Sequence, residues 1–279
     1  MEMSIAMSEA TTVILLAVIQ GLTEFLPVSS SGHLAVLSAL CGLKSDTGLS
    51  LGIVLHAGSL LAIAAFYFRL LLGFFRKDQR HLLGMVIVGS IPAGVAGILL
   101  KKSGLIDAMF GDMMSVALGF LITASLLRLT GKAKLTADSR TEVRDISLRQ
   151  ALTAGAAQMF AIVPGISRSG STIAAGILSG MKREAAAAFS FLLALPAIAG
   201  ASLLEMIELA KNGFDMGSFS LGHLGLGFAV SALVSFAALS LLIRLIRGGK
   251  LAYFAWYLFL LGAGIMVWQI VGMMRGMKA

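Results

Sequence analysis

Gln20 and Glu24 stand four residues apart, on one face of a helix, with Thr23 beside them. The run Pro27-Val28-Ser29-Ser30-Ser31-Gly32-His33 follows, bringing three hydroxyls and an imidazole. Far downstream, Pro164-Gly165-Ile166-Ser167-Arg168-Ser169-Gly170-Ser171-Thr172 places a guanidinium among hydroxyls and glycines. A Gly- and Ser-rich loop that opens a helix offers backbone N–H groups and the positive end of the helix dipole, both suited to phosphate. Arg168 adds a planar fork that holds two phosphate oxygens at once. Glu24 is suited to a hard divalent cation bridging such oxygens. His33 has the chemistry of an acid, a base or a nucleophile, and Ser30 that of a nucleophile once deprotonated. Together these side chains form an inventory for phosphoryl transfer. A buried structural ion pair between Glu24 and Arg168, with serines satisfying backbone carbonyls, is the competing reading.

The elements that must position these groups are membrane elements. The chain has 279 residues, 58% hydrophobic and only 13% charged, whereas soluble domains carry about a quarter charged residues. We therefore expect an all-α integral membrane protein forming a single membrane domain over 1–279. Six stretches are long and apolar enough to cross a bilayer, which takes about 20 helical residues: 51–75, 82–100, 111–129, 185–206, 221–246 and 252–274. Two others, 11–43 and 151–181, are interrupted at the motifs above. Helix breaks at membrane depth are tolerated where they are buried in protein or line a wet cavity. These two stretches are expected to be re-entrant helix hairpins. The single cysteine, Cys41, excludes a disulfide framework and reads as a buried helix residue. The N-terminus lacks a basic leader region, so no cleaved signal peptide is expected.

The two breaks resemble each other. Ser29-Ser30-Ser31-Gly32 and Ser167-Arg168-Ser169-Gly170 share S-x-S-G, and Gln20 and Gln158 each lie nine positions before the first serine. Each hairpin precedes three spans, giving repeat 1 (1–130) and repeat 2 (150–279) around a cytoplasmic linker, 131–149. A three-span unit reverses direction, so the second copy is inverted relative to the first. Threading this plan puts fifteen of the 22 basic residues on one side and six on the other, with Arg168 in the second break. The richer side is cytoplasmic. Both termini then face outward, and the pocket opens to the periplasmic or outer side. The net charge of +8 matches an anionic membrane surface, and no nucleic-acid partner is expected. Of the 14 acids, Glu24 alone lies deep in an apolar stretch, where a lone charge costs about 3 kcal/mol and marks a function or a partner. His56, His81 and His223 have no comparable neighbours and are assigned no role.

The run from Gln20 to Leu34, with Glu24, Pro27, Ser30 and His33, resembles the first signature of the bacterial undecaprenyl-pyrophosphate phosphatases, the bacitracin-resistance phosphatases. Pro164-Gly165-Ile166-Ser167-Arg168-Ser169-Gly170-Ser171-Thr172 resembles their second. The resemblance implies paired re-entrant hairpins in the bacterial inner membrane and hydrolysis of a C55 polyprenyl diphosphate for carrier-lipid recycling in cell-wall synthesis. It also implies bacitracin resistance on overproduction and dependence on Mg²⁺ or Ca²⁺. Matched residue by residue, Glu24, Ser30, His33, Ser167, Arg168 and Thr172 carry the family's functional roles. Ser169 and Gly170 join Arg168, Ser167 and Thr172 in holding substrate, and Glu24 and Gln20 would hold the metal. Some relatives have Glu where this chain has Gln20, and a neutral amide is a weaker ligand. The choice between Ser30 (with His33 as base), His33 and metal-bound water as nucleophile stays open. So does a homodimer, and so does a second function class: a transporter or flippase of a polyprenyl phosphate lipid.

Overall fold

The computed structural model describes residues 8–41, 45–76, 80–132, 141–212, 219–274 and 276. Among them the chain is helical, and the one β contact is an isolated bridge between Thr141 and Met181. The side chain of Cys41, residues 133–140 of the expected linker, and Ala279 lie outside the described residues. In chain order the helices are α1 (Glu9–Phe25), α2 (Ser30–Cys41), α3 (Ser45–Phe66), α4 (Phe68–Gly73), α5 (Arg80–Ser103), α6 (Leu105–Phe110) and α7 (Met113–Lys132). They continue as α8 (Leu148–Phe160), α9 (Arg168–Leu178), α10 (Arg183–Asn212), α11 (Leu221–Arg247) and α12 (Ala252–Met274).

Five helices are long and apolar enough to cross a membrane: Arg80–Lys101, Met113–Gly131, Arg183–Lys211, Leu221–Arg247 and Ala252–Met274. They correspond to five of the six expected stretches. The sixth, 51–75, differs. Its apolar helix is Ser50–Phe66, and the chain then turns at Tyr67 into the short α4. Aromatic packing accounts for the turn: Phe66 meets Phe236 edge-on at 5.6 Å, while Tyr67 stacks on Phe191 at 6.2 Å. Continuing α3 straight on would pull Tyr67 away from that contact.

The two interrupted stretches form helix pairs. α1 has 17 residues and α2 has 12; α8 has 13 and α9 has 11. At about 1.5 Å per residue none reaches the roughly 30 Å of a hydrocarbon core. Leu26 precedes Pro27 and is driven to an extended conformation (φ −58°, ψ 141°), which ends α1. Ser29 then adopts φ 68°, a left-handed conformation rare for a residue with a Cβ. In the second break the left-handed position falls to Gly165, at φ 84°. A Cβ there would also overlap the carbonyl oxygen of Val116 on α7.

Packing wedges each pair between long helices. α1 lies on α11, α8 on α5, and α7 on α12, while α9 packs against α10, α8 and α7. The core beneath the breaks joins Phe25 to Phe191, edge-on at 5.6 Å, with Ile173, Phe189 and Leu192 fully buried around them. Fully burying such a side chain is worth about 1.5–3 kcal/mol each in water; in lipid the equivalent gain comes from close packing and interhelical hydrogen bonds. Ser59 on α3 bonds Ser235 at 3.0 Å, and Ser231 donates to the Leu55 carbonyl at 2.7 Å, tying α3 to α11.

Candidate active site

Glu24 sits in the last turn of α1, 7% exposed, with both carboxylate oxygens engaged. Arg168, the first residue of α9, donates from Nη2 to Oε1 at 2.8 Å. Ser30, the first residue of α2, donates from Oγ to Oε2 at 2.7 Å, and Gln20 Nε2 adds a bond of 3.0 Å to the same oxygen. One buried carboxylate thus gathers α1, α2 and α9, across more than a hundred residues of sequence. The left-handed turn at Ser29 makes this reachable, since it swings the start of α2 back over the end of α1.

The pair is not fully satisfied. Arg168 Nη1 and Gln20 Oε1 are buried and have no hydrogen-bond partner. Leaving such groups unpaired costs about 1–3 kcal/mol each, more for a charged one.

The hydroxyls flanking Arg168 bond within the protein. Ser167 caps α9, accepting from the Gly170 N–H at 3.1 Å, while its own N–H donates to Thr123 Oγ1 at 2.9 Å. Ser169 donates to the Leu26 carbonyl at 3.2 Å, linking the two breaks directly. Thr172 donates to the Arg168 carbonyl at 2.8 Å and contacts Ser190 on α10. All three residues are about 1% exposed. Their hydroxyls hold the turn that presents Arg168, and the Gly170 N–H is already taken.

His33 is near Ser30 in sequence but does not bond it. Its Nδ1 lies 2.8 Å from the Ser29 carbonyl, which can only accept, so Nδ1 carries the proton. Nε2 is then the acceptor for the Tyr257 hydroxyl of α12, at 2.6 Å. The expected Ser30–His33 pair is replaced by a Ser30–Glu24 pair. Ser30 opens α2 toward α1, whereas His33, one turn on, faces α12. His33 and Tyr257 head a groove of about 610 Å³, lined largely by apolar side chains such as Ile19, Leu22, Val36 and Phe254.

Two participants escaped the sequence reading. Tyr257 gave no local signal, being one aromatic among many in an apolar helix. His56 on α3, which was assigned no role, places Nε2 4.0 Å from Glu24 Oε2, with Nδ1 buried and unpartnered. An imidazole inside an apolar span was itself the available clue. His81 and His223 are structural: one binds the Ile146 carbonyl at 2.8 Å, and the other completes the capping box of α11.

A family described as bacitracin resistance protein BacA matches residues 13–264. Curated relatives extend over nearly the whole chain. The undecaprenyl-diphosphatase of Halothermothrix orenii is 38% identical over 93% of this chain and 98% of its own length. That of Methanosphaera stadtmanae is 35% identical, covering 95% of this chain and 100% of its own. That of Rhodopirellula baltica is 38% identical, covering 94% and 98%.

Proposed function

The chain belongs to the bacitracin resistance protein BacA family, and from that premise we propose that it is an undecaprenyl-diphosphate phosphatase. In this reading it hydrolyses the polyprenyl diphosphate carrier lipid to the monophosphate and inorganic phosphate, recycling it for peptidoglycan synthesis and conferring bacitracin resistance. It does so as a multi-pass protein of the bacterial inner membrane, its pocket opening to the periplasmic or outer side. The observation that carries the reading is the buried Glu24 carboxylate with Arg168 on one oxygen and Ser30 on the other. A carrier of anionic lipid would need the guanidinium but not a hydroxyl held against a base, which weighs against the transporter alternative.

The proposed chemistry follows the bonds. Arg168 keeps Nη2 on Glu24 and turns its unpartnered Nη1 to the terminal phosphoryl oxygens, supplying the electrostatic stabilisation that is usually the largest catalytic contribution. Ser30 gives its proton to Glu24 Oε2 while Oγ bonds phosphorus, the phosphoanhydride breaks, and prenyl monophosphate leaves. Water then attacks the phosphoserine, one of its protons going to phosphate and Ser30 recovering its own from Glu24. Direct attack by His33 is the second reading, favoured by the Nε2 lone pair that its tautomer leaves facing Tyr257.

A divalent cation, Mg²⁺ or Ca²⁺, fits the remaining donors in part. Gln20 Oε1 is a buried oxygen without a partner, beside the Glu24 carboxylate. One carboxylate and one amide oxygen suit a hard ion whose other ligands are phosphate oxygens and water. Among the described residues no group of three or more His, Cys, Asp and Glu could hold a metal ion unaided. Gln20 and Glu24 would therefore receive an ion arriving with the diphosphate, which would neutralise charge on it.

The proposed architecture is six spans, α3 being the sixth, with two re-entrant hairpins in an inverted repeat. Reciprocal packing supports it: the first helix of each hairpin lies on the second long helix of the opposite half, α1 on α11 and α8 on α5. Purified protein given a short-chain prenyl diphosphate and Mg²⁺ should release inorganic phosphate. Binding without release would remove the phosphatase reading and leave the carrier one.

A further inference from the structure

A second cleft, of about 670 Å³, opens between α7, α8 and α9, away from the Glu24 centre. Pockets of about 300–1,000 Å³ are typical for ligands of small-molecule size. Apolar side chains, Leu126, Ala157 and Leu178, form part of its wall; Ser147, Arg149 and Thr153 from the start of α8 form the polar part.

Three observations point to a ligand. Ser171 lines the cleft at 2% exposure, and its Oγ has no partner. A helix serine commonly returns its hydroxyl to a carbonyl one turn back, as Thr172 does to Arg168; Ser171 does not, and a buried hydroxyl left so wants an occupant. Arg149 makes no ion pair among the described residues. Glu142, an acid close in sequence, is bound by Lys182 instead, and Asp145 is not among the residues lining the cleft. The capping box of Ser147 and Gln150 occupies the Gln150 N–H, and the first-turn N–H groups of Leu148 and Arg149 have no acceptor within the helix. They lie at the positive end of its dipole.

The fourth observation is positional. The constant offset that carries Gln20 onto Gln158 and Ser29 onto Ser167 also carries Ile19, His33 and Leu37 onto Ala157, Ser171 and Ala175. The first three line the apolar groove beside the catalytic centre, and the last three line the second cleft. Three positions of each lining thus correspond, one on the first helix of the hairpin and two on the second. The first carries His33 where the second carries Ser171, so the second has no imidazole for phosphoryl chemistry at that point.

We propose that this second cleft is a binding site for a lipid phosphate monoester, with Arg149 and the first turn of α8 on the headgroup, Ser171 as an inner donor, and the Leu126–Leu178 wall against the chain. The shared chemistry is a phosphate monoester; the apolar wall selects the lipid over free phosphate. The site binds without hydrolysing, and it lies at the end of the bundle that carries Arg144, Arg149, Lys182 and Arg183, opposite to the outward opening proposed for the catalytic pocket.

The test uses the full-length protein in lipid nanodiscs with a photoreactive, diazirine-bearing prenyl monophosphate, the adducts being mapped by mass spectrometry. Adducts are expected within 147–153 and 175–179. Arg149→Gln, a change at an exposed position, should lower them by about tenfold, the size of losing one charge-assisted hydrogen bond, while phosphate release from prenyl diphosphate stays unchanged. The proposal is overturned if adducts are confined to the His33–Tyr257 groove, or if Arg149→Gln leaves cleft adducts undiminished. Equal competition by the neutral prenol would make the cleft merely apolar, and equal competition by inorganic phosphate would assign it to free phosphate; either result also overturns the lipid site. Phosphate release, measured separately, keeps the fate of this site apart from that of the phosphatase reading.

Discussion

Replacing Arg168 by lysine separates a catalytic guanidinium from a structural one. In the folded chain Arg168 spends Nη2 on Glu24 at 2.8 Å and keeps Nη1 buried and free. A lysine ammonium is a single point, so at this site it can hold Glu24 or reach the phosphoryl group, but does not span both with a fixed fork. If it stays with Glu24, the buried carboxylate remains compensated and the fold survives. What is lost is one charge-assisted hydrogen bond to the transition state, about 1.5–3 kcal/mol, which predicts a fall in kcat of roughly 10- to 150-fold. Arg168→Ala differs in kind, because it leaves Glu24 buried without its cation at a cost of about 3–5 kcal/mol in stability. The assay pairs phosphate release from a short-chain prenyl diphosphate with thermal unfolding in detergent. The lysine variant should unfold near wild type and turn over poorly; the alanine variant should fail on both counts. Wild-type turnover in Arg168→Lys would refute the reasoning, because the free Nη1 would then have no catalytic use and the ion pair would be structural only.

Three further outcomes follow from the same geometry. Ser30→Ala should abolish turnover while prenyl diphosphate binding, measured by calorimetry, changes by no more than about fivefold, since one neutral hydrogen bond is worth about 1 kcal/mol; near-normal turnover here together with loss in His33→Ala would move the nucleophile to the imidazole. Tyr257→Phe removes the hydroxyl that donates to His33 Nε2 and should lower kcat/KM by roughly 2- to 12-fold, the value of one net hydrogen bond, with NMR showing the Nε2 resonance shifted by loss of its donor while the Ser29 carbonyl keeps the proton on Nδ1. Asp112, ahead of α7, accepts from the Ser115 hydroxyl at 2.6 Å and from the Ser115 and Met114 N–H groups, and the Ser115 hydroxyl leads in holding its carboxyl below the usual range. A depressed folded-state pKa means this stabilisation is fully present above the ordinary carboxylate pKa and is lost as pH falls through the lowered one. Hydrogen-exchange protection in the first turn of α7 should drop over that acidic window, and Asp112→Ala, costing about 0.5–2 kcal/mol as a lost cap, should lack the pH dependence.

The long helices were legible because membrane insertion demands continuous apolar runs, and the observed bounds of α5, α7, α10, α11 and α12 stay close to the hydropathy pattern. Helix α3 was less so: hydropathy runs unbroken through Phe66, Tyr67 and Phe68, and the turn there is made by aromatic contacts with α10 and α11 that no local pattern records. Glu24 and Arg168 were legible as a pair because charge at membrane depth is costly enough to single them out. The identity of Ser30's partner was not. It depends on the left-handed backbone at Ser29, a non-glycine residue whose conformation only the tertiary packing can impose. The same limit applies to Ser167, Ser169 and Thr172. Their residue types suit either a phosphate cradle or a scaffold for one, and their bonds to Thr123, Leu26 and Ser190 are recorded in no local pattern.

That scaffold explains why the site is divided between two distant segments rather than built on one. A carboxylate and a guanidinium at neighbouring positions of a single short helix could pair early and leave nothing buried unsatisfied. Here Glu24 ends α1 and Arg168 begins α9, so neither charge is compensated until both hairpins have entered the bundle. The Ser169 hydroxyl on the Leu26 carbonyl at 3.2 Å then locks the two breaks together. Gly32 enforces the close approach, because a Cβ there would come within 2.6 Å of the Phe120 ring on α7. Held in this way, Arg168 keeps Nη2 on Glu24 and leaves Nη1 buried and unsatisfied. The left-handed Ser29, the orphaned Nη1 and the orphaned Gln20 oxygen are separate local costs at one spot. Stability alone gives no reason to gather them there. In the proposed function, a diphosphate whose oxygens accept from Nη1, arriving with a cation for the Gln20 oxygen, supplies that reason.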